Sequence, residues 1–328
     1  VAPLYTFVVP DDASGDEVGG FFDESPACRQ LTDDLDDRWQ GYDNFTKPQK
    51  RAARRWVESA LTAQPGFLEG GLALAWMQHD AGEPAALATA RRFVRQAEAL
   101  IPKGFKGRIL WGHLGNRFYH RLLWLLLQVN HEHGLPAEAV KLARKQLRLN
   151  PGDSLGLRYV LPLLLLERGD VAAARRSLKA LADEPALTAA AIRAFVAFAE
   201  DDRPRFRREL AAALFSLPVL RTFLLNDPKA LAAGESGFRA VQPDLENFAR
   251  FAWPTYCTLP GLRRACIAFL SEPEVLKAEA DLRAYWDAYW NSGRRPQGAR
   301  TGSAEGWDKL VRQSLELVAP STRGPGRR

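Results

Sequence analysis

Residues 120–153 read HRLLWLLLQVNHEHGLPAEAVKLARKQLRLNPGD, and their pattern predicts the fold class. Its apolar residues recur at spacings of three and four, which indicates amphipathic helices joined by a short Gly/Pro break. Ala139 and Pro151 recur 34 residues later as Ala173 and Pro185. A helix–turn–helix unit of about 34 residues is the tetratricopeptide (TPR) period, with a small residue where the two helices cross. The stretch therefore predicts a repeated pair of helices.

The same pattern extends outward in both directions. A following unit begins at Ser154 and an earlier one at Gly71, with an insertion close to residues 103–117 between the earlier unit and the central one. Good helix formers with short Gly/Pro breaks fill residues 47–290. We therefore predict an all-α, TPR-like α-solenoid of antiparallel helix pairs over residues 47–290.

The two ends differ from this middle region in charge. Residues 11–38 carry ten acids and two arginines, whereas residues 293–328 carry eight bases and three acids. We predict an irregular acidic segment over 1–46, and a basic linker with a short amphipathic helix and tail over 291–328. The acidic arm can attract the basic body or keep other anions away; the alternative is that both ends are simply solvated.

Composition indicates a compartment. No run of about 18 apolar residues occurs, so the sequence predicts no membrane span. The start has no basic region followed by an apolar one, so we expect no secretory signal. Three cysteines make a sparse, odd set that fits a reducing environment. We therefore expect a cytoplasmic protein.

A family resemblance rests on one block of sequence. Residues 147–159, LRLNPGDSLGLRY, are followed by the apolar run and Glu-Arg-Gly-Asp of residues 163–170. This block resembles the suppressor-of-tumorigenicity family of bacterial TPR-like proteins, and the resemblance extends loosely over about residues 108–269. It implies an α-solenoid with a binding or scaffold role, and it offers no catalytic residue to carry over.

Motifs for catalysis and metal binding are absent from the sequence. His131-Glu132-His133 places its two histidines two residues apart, so on a helix they point about 200° from each other and not at one ion. No phosphate-binding loop and no nucleophile motif occurs. We predict no enzyme activity, no catalytic residue, no metal site and no cofactor.

The concave face of a solenoid is its usual binding surface. In the repeat register it is lined by Arg121, Trp124, Gln128, His131, Arg158 and His79. Arginine and tryptophan suit a peptide that combines a carboxylate with an apolar side chain. We therefore predict a groove that binds a protein or peptide partner. The alternative is that Trp124 packs in the core and the arginines pair locally.

A second hypothesis concerns rows of arginines on the convex face. These rows could hold the phosphates of a nucleic acid, although no aromatic platform lies among them. A solvated arginine-rich face is the alternative. The rows are Arg51, Arg54 and Arg55; Arg91, Arg92 and Arg95; Arg175 and Arg176; and Arg205, Arg207 and Arg208.

Overall fold

The computed structural model describes six ranges of the chain. They are 3–10, 19–182, 187–217, 219–225, 242–291 and 302–318, with side chains described throughout except at 187, 219, 242–247, 286–291 and 302–307. Contacts divide the chain into two compact units, Val1–Leu157 (unit 1) and Arg158–Arg328 (unit 2). The acidic stretch 11–18 and the last ten residues of the basic tail lie outside the described ranges.

Most of the described residues are helical, which confirms the predicted helical class. Within the described ranges, no helix is both long enough and apolar enough to cross a bilayer.

The start of unit 1 is more ordered than the predicted irregular segment. Strands β1 (Tyr5–Val8) and β2 (Phe21–Glu24) pair antiparallel, with Tyr5 opposite Glu24 and Val8 opposite Phe21. Helix α1 (Pro26–Trp39) follows; the Ser25 hydroxyl accepts the Cys28 N–H at 3.2 Å as its N-cap. The prediction of an irregular segment was wrong for the described residues, because Tyr5, Phe22 and Leu35 are buried among the charged residues and pack into the core.

Five further helices complete unit 1. They are α2 (Lys47–Ala63), α3 (Leu68–Asp80), α4 (Ala85–Leu100), α5 (Arg117–Glu132) and α6 (Pro136–Leu149). Helix α2 begins at the predicted residue, where Thr46 and Gln49 form a capping box. Each helix from α2 to α5 packs against the next, and α5 also packs against α3, so that α5 is covered by three neighbours.

The hairpin closes the core of unit 1 from one side. The Phe22 ring lies 5.0 Å from the Phe118 ring of α5 and 5.5 Å from that of Tyr119, and all three are fully buried. The hairpin is therefore part of the hydrophobic core and not an appendage.

Close packing in α3 depends on Gly71, where an added Cβ would lie 2.2 Å from the Phe93 ring.

Unit 2 is helical throughout its described ranges. Its helices are α7 (Leu157–Glu167, beginning at the last residue of unit 1), α8 (Val171–Ser177), α9 (Leu187–Ala199), α10 (Arg203–Ser216), α11 (Val219–Leu225), α12 (Gln242–Thr258), α13 (Leu262–Leu270), α14 (Pro273–Asn291) and α15 (Gly302–Val318). The predicted amphipathic helix near the C-terminus is thus present as α15. It packs against α10 and α14.

Three arginines of unit 2 share one bonding pattern, in which each guanidinium contacts a carboxylate and a backbone carbonyl. We call Arg193, Arg207 and Arg221 the arginine clamps. Arg193 donates to Glu209 at 2.8 Å and to the Leu181 carbonyl at 3.1 Å.

The other two clamps follow the same rule. Arg207 donates to Glu272 Oε2 at 2.7 Å and to the Val318 carbonyl at 3.1 Å, which holds the end of α15. Arg221 donates to Glu279 and, at 3.0 Å, to the Leu270 carbonyl at the end of α13. Each clamp therefore joins separate helices of unit 2.

Candidate functional site

The segment between α4 and α5 is a loop that sequence patterns identified only as an insertion. It is attached to its surroundings by backbone hydrogen bonds on two sides. The Gly20 N–H donates to the Arg108 carbonyl at 2.8 Å, and the Ile109 N–H donates to the Leu149 carbonyl at 2.9 Å. The loop is therefore fixed to the hairpin on one side and to the end of α6 on the other.

Asn116 is the polar centre of this attachment. Its Nδ2 donates to the carbonyls of Gly20 (3.2 Å) and Leu110 (2.9 Å), and its Oδ1 accepts the Phe22 N–H (3.1 Å). The side chain is almost completely buried. One amide side chain is enough for this attachment, because it carries two N–H donors and a carbonyl acceptor. It therefore satisfies three backbone groups without water.

Two further side chains support the loop from α5 and α6. His120 Nε2 lies 2.6 Å from the Ile109 carbonyl oxygen, and Asn150 Oδ1 accepts the Trp111 N–H at 3.2 Å. Burial lowers the pKa of His120, because the charged imidazolium is poorly solvated there. The neutral ring with its proton on Nε2 is the form that donates to Ile109.

The loop presents a cationic and apolar surface. The Arg117 and Arg121 guanidinium carbons lie 5.5 and 5.8 Å from the centroid of the Trp111 ring. Arg117 Nε also donates to the Trp111 carbonyl at 3.4 Å. Leu110 is 44% exposed and Leu114 is 71% exposed. These five residues are called the arginine–tryptophan surface below.

The electrostatic field of this surface is positive. Among the described residues, no carboxylate lies within ion-pair distance of the Arg117 or Arg121 guanidinium, so no salt bridge neutralises either one. Glu69 of α3 interacts with Arg121 at longer range. Burial is the largest effect on Glu69 and raises its pKa to about 7, while Arg121 opposes this shift. Glu69 is thus only partly ionised at neutral pH and compensates Arg121 incompletely.

The predicted groove residues separate into exposed and buried ones. Arg121 is exposed, but on the same helix Trp124, Gln128 and His131 are 8%, 2% and 7% exposed. The repeat register predicted an open inner face for α5, whereas packing against α3, α4 and α6 leaves these three side chains little surface. Their role in binding stays a prediction.

The remaining two groove residues lie elsewhere. His79 of α3 is half-buried, and its Nε2 lies 2.7 Å from Glu132 Oε2 at the end of α5. This contact brings His79 beside the end of α5 that carries His131. Arg158 belongs to unit 2 and is half-buried.

Several arginines of the predicted convex rows are already bonded within the fold. Arg54 pairs with Glu58 and Glu83, and Arg91 donates to the Asn130 side chain. In unit 2, three more form ion pairs: Arg175 and Arg205 with Glu200, and Arg207 with Glu272. Ion pairing of this kind reduces the positive charge available to a polyanion.

Sequence reasoning missed Trp111 and Arg117 as partners of Arg121. A usable signal was present, because no acid occurs between Glu98 and Glu132 while five bases do. These bases are Lys103, Lys106, Arg108, Arg117 and Arg121. A run of bases without counter-ions around a tryptophan indicates a surface for anions.

Within the described ranges, no three His, Cys, Asp or Glu side chains are grouped so that they could hold a metal ion. Comparisons with protein-family models, with curated proteins and with solved structures gave no match to this chain.

Proposed function

We propose that unit 1 is a non-catalytic binding module that holds a segment of another protein at the arginine–tryptophan surface. One observation carries the proposal: two guanidinium groups lie against the indole of a loop without a salt bridge, and the same loop exposes two leucines. Tryptophan and arginine are the residues most enriched at binding hot spots, and guanidinium groups bind carboxylates through paired hydrogen bonds. The partner segment is therefore acidic and carries an apolar side chain.

The loop is suited to this role because it is held in place before any partner binds. Asn116, His120 and Asn150 fix its backbone through the hydrogen bonds described above. Little backbone ordering is then needed on binding, which reduces the entropic cost of association.

We also propose that the helices are TPR-like repeats forming a solenoid, as the resemblance to the suppressor-of-tumorigenicity family implies. The proposal is supported by the 34-residue offset of small residues and prolines. The packing of consecutive helices, α3 on α4 and α5 on α6, is consistent with it. A scaffold function follows from this relation, because repeat proteins commonly bind other proteins.

Affinity capture from native lysate tests the binding proposal. Three chains are compared: the wild type, Arg117→Glu/Arg121→Glu, and the matched control Arg92→Glu. Arg92 is also an exposed arginine of unit 1 stacked on an aromatic ring, Phe93, but it lies outside the surface. We expect one protein to be lost from the double variant and kept by the control, and a synthetic acidic peptide from that protein to bind directly. Identical captured proteins from all three folded chains would overturn the proposal.

A further inference from the structure

We propose that the segment bound at the arginine–tryptophan surface carries a phosphorylated side chain next to an apolar residue. This inference rests on the proposed function and specifies the anion that the surface fits. The number of guanidinium groups, their surroundings and the exposed leucines point to this anion.

The first step concerns the two guanidinium groups. Arg117 and Arg121 are four residues apart on α5, so they lie on one helix face. Both are placed against the Trp111 ring, with Arg117 further fixed by its bond to the Trp111 carbonyl. Two like charges held on one ring repel each other, and an anion that contacts both removes that repulsion.

The second step compares the anions that could do so. A single carboxylate supplies one negative charge, whereas a phosphorylated side chain supplies nearly two at neutral pH, with three acceptor oxygens. Guanidinium groups match phosphate oxygens through paired hydrogen bonds. Lys103, Lys106 and Arg108 of the same loop add positive charge, and no acid intervenes between residues 99 and 131. Glu69 is only partly ionised at neutral pH and offsets only part of this charge, so the remaining excess of positive charge favours the dianion.

The third step concerns the class of molecule. Leu110 and Leu114 lie in the same loop and are both exposed, so we expect the ligand to have an apolar part that phosphate alone lacks. Guanidinium groups already lie against the Trp111 ring, which leaves less of it for stacking a nucleic acid base. A phosphorylated peptide with a neighbouring aliphatic side chain satisfies both features.

The test uses fluorescein-labelled degenerate peptide pools and fluorescence anisotropy with the full chain. Each pool has leucines at fixed positions and one central residue, which is phosphoserine, glutamate or serine. We expect the phosphoserine pool to bind at least about tenfold more tightly than the glutamate pool, and the serine pool to bind weakest. Arg117→Gln/Arg121→Gln should abolish this difference, and Arg92→Gln should keep it.

Each other outcome contradicts the inference. Equal affinity for the phosphoserine and glutamate pools would overturn the phosphate assignment and leave the proposed function intact. A labelled single-stranded oligonucleotide is tested alongside the peptide pools. Failure of all peptide pools to bind would overturn both the phosphate assignment and the proposed function, whether or not the oligonucleotide binds. If the double variant does not fold by circular dichroism, Arg121→Gln alone replaces it, because the exposed Arg121 side chain has no hydrogen bond among those described for the surface.

Discussion

Arginine is used in opposite ways by the arginine clamps of unit 2 and by the arginine–tryptophan surface of unit 1. In unit 2, the guanidinium group of each arginine clamp is bonded to a carboxylate and to a backbone carbonyl of another element. In unit 1, Arg117 and Arg121 rest on the Trp111 ring, and no salt bridge to a described carboxylate holds them. The same residue type therefore stabilises helix packing in the clamps and leaves charge available at the arginine–tryptophan surface.

An arginine-rich sequence can therefore be interpreted only together with the partners of its arginines. The number of arginines does not by itself indicate a binding surface, because the charge of a guanidinium group that is paired within the fold is already compensated by its partner. The informative feature is an arginine without a local acid beside an exposed aromatic or aliphatic residue. Four predictions test this contrast, beginning with the change that should have the largest effect.

Gly115→Ala should disrupt the contact between the loop and strand β2. An added Cβ would lie 2.1 Å from the Phe22 carbonyl oxygen, a backbone atom that cannot move without displacing β2. We expect a loss of about 3 kcal/mol in the free energy of unfolding, measured by urea denaturation followed by circular dichroism. Gly112→Ala is the control, since its Cβ would meet nothing within 4 Å. Equal stability of the two variants would contradict the described close approach of Gly115 to the Phe22 carbonyl.

Arg221→Met should destabilise unit 2 by about 2 kcal/mol, because it leaves Glu279 and the Leu270 carbonyl without their donor. Burial already raises the pKa of Glu279, and Arg221 opposes that shift. Urea denaturation measures the loss. The double variant Arg221→Met/Glu279→Leu should recover part of it, since the half-buried carboxylate is removed as well. A double variant less stable than Arg221→Met would show that the clamp is not the cause.

Glu69→Gln should stabilise unit 1 at pH 8 and have little effect at pH 4. The folded-state pKa of Glu69 is raised from 4.5 to about 7, chiefly by burial. Its protonation therefore contributes stability that is fully present below about pH 4.5 and is lost as pH rises through 7. Glutamine stays neutral, so we expect its advantage to grow to about 1–2 kcal/mol across this range, after allowance for partial exposure. Urea midpoints from pH 4 to pH 8 measure it, and a pH-independent difference would contradict the shift.

Arg121→Met should change the free energy of unfolding least, by under about 0.5 kcal/mol, because an exposed guanidinium on an aromatic face contributes little. Binding of an acidic peptide should nevertheless fall. Thermal denaturation and anisotropy on the same sample separate the two effects. A large loss of stability would place Arg121 with the arginine clamps and remove the contrast.

Local patterns predicted the helices well and the loop poorly. The start of α2 at Lys47 was predicted from composition and breaks, and so was the amphipathic helix α15, because periodicity and capping are local properties. The loop is different. Asn116 bonds to Phe22 and Gly20, which are 94 and 96 residues away in sequence. No local rule connects such residues.

The candidate site shows the same division. Arg121 was predicted from the repeat register, and it is exposed beside Trp111. Trp124 was predicted with it as an anchor, but α5 is covered by three helices and Trp124 is buried. The register gives the direction of a side chain around its own helix; it does not say how many neighbours that helix has. Trp111 lies in an irregular loop, where periodicity gives no information.

Each unit contains one buried cysteine, whose reactivity can report when that unit opens transiently. Cys28 in unit 1 and Cys266 in unit 2 are fully buried, whereas Cys257 is exposed. Burial raises the pKa of Cys28 to about 11 and that of Cys266 further, so neither thiol forms an appreciable thiolate in the closed state. An alkylating reagent should mark Cys257 at once and the other two only when their own unit opens. Mass spectrometry of the alkylated peptides would then measure the opening rates of both units in one sample, with the rapid alkylation of Cys257 as the internal reference.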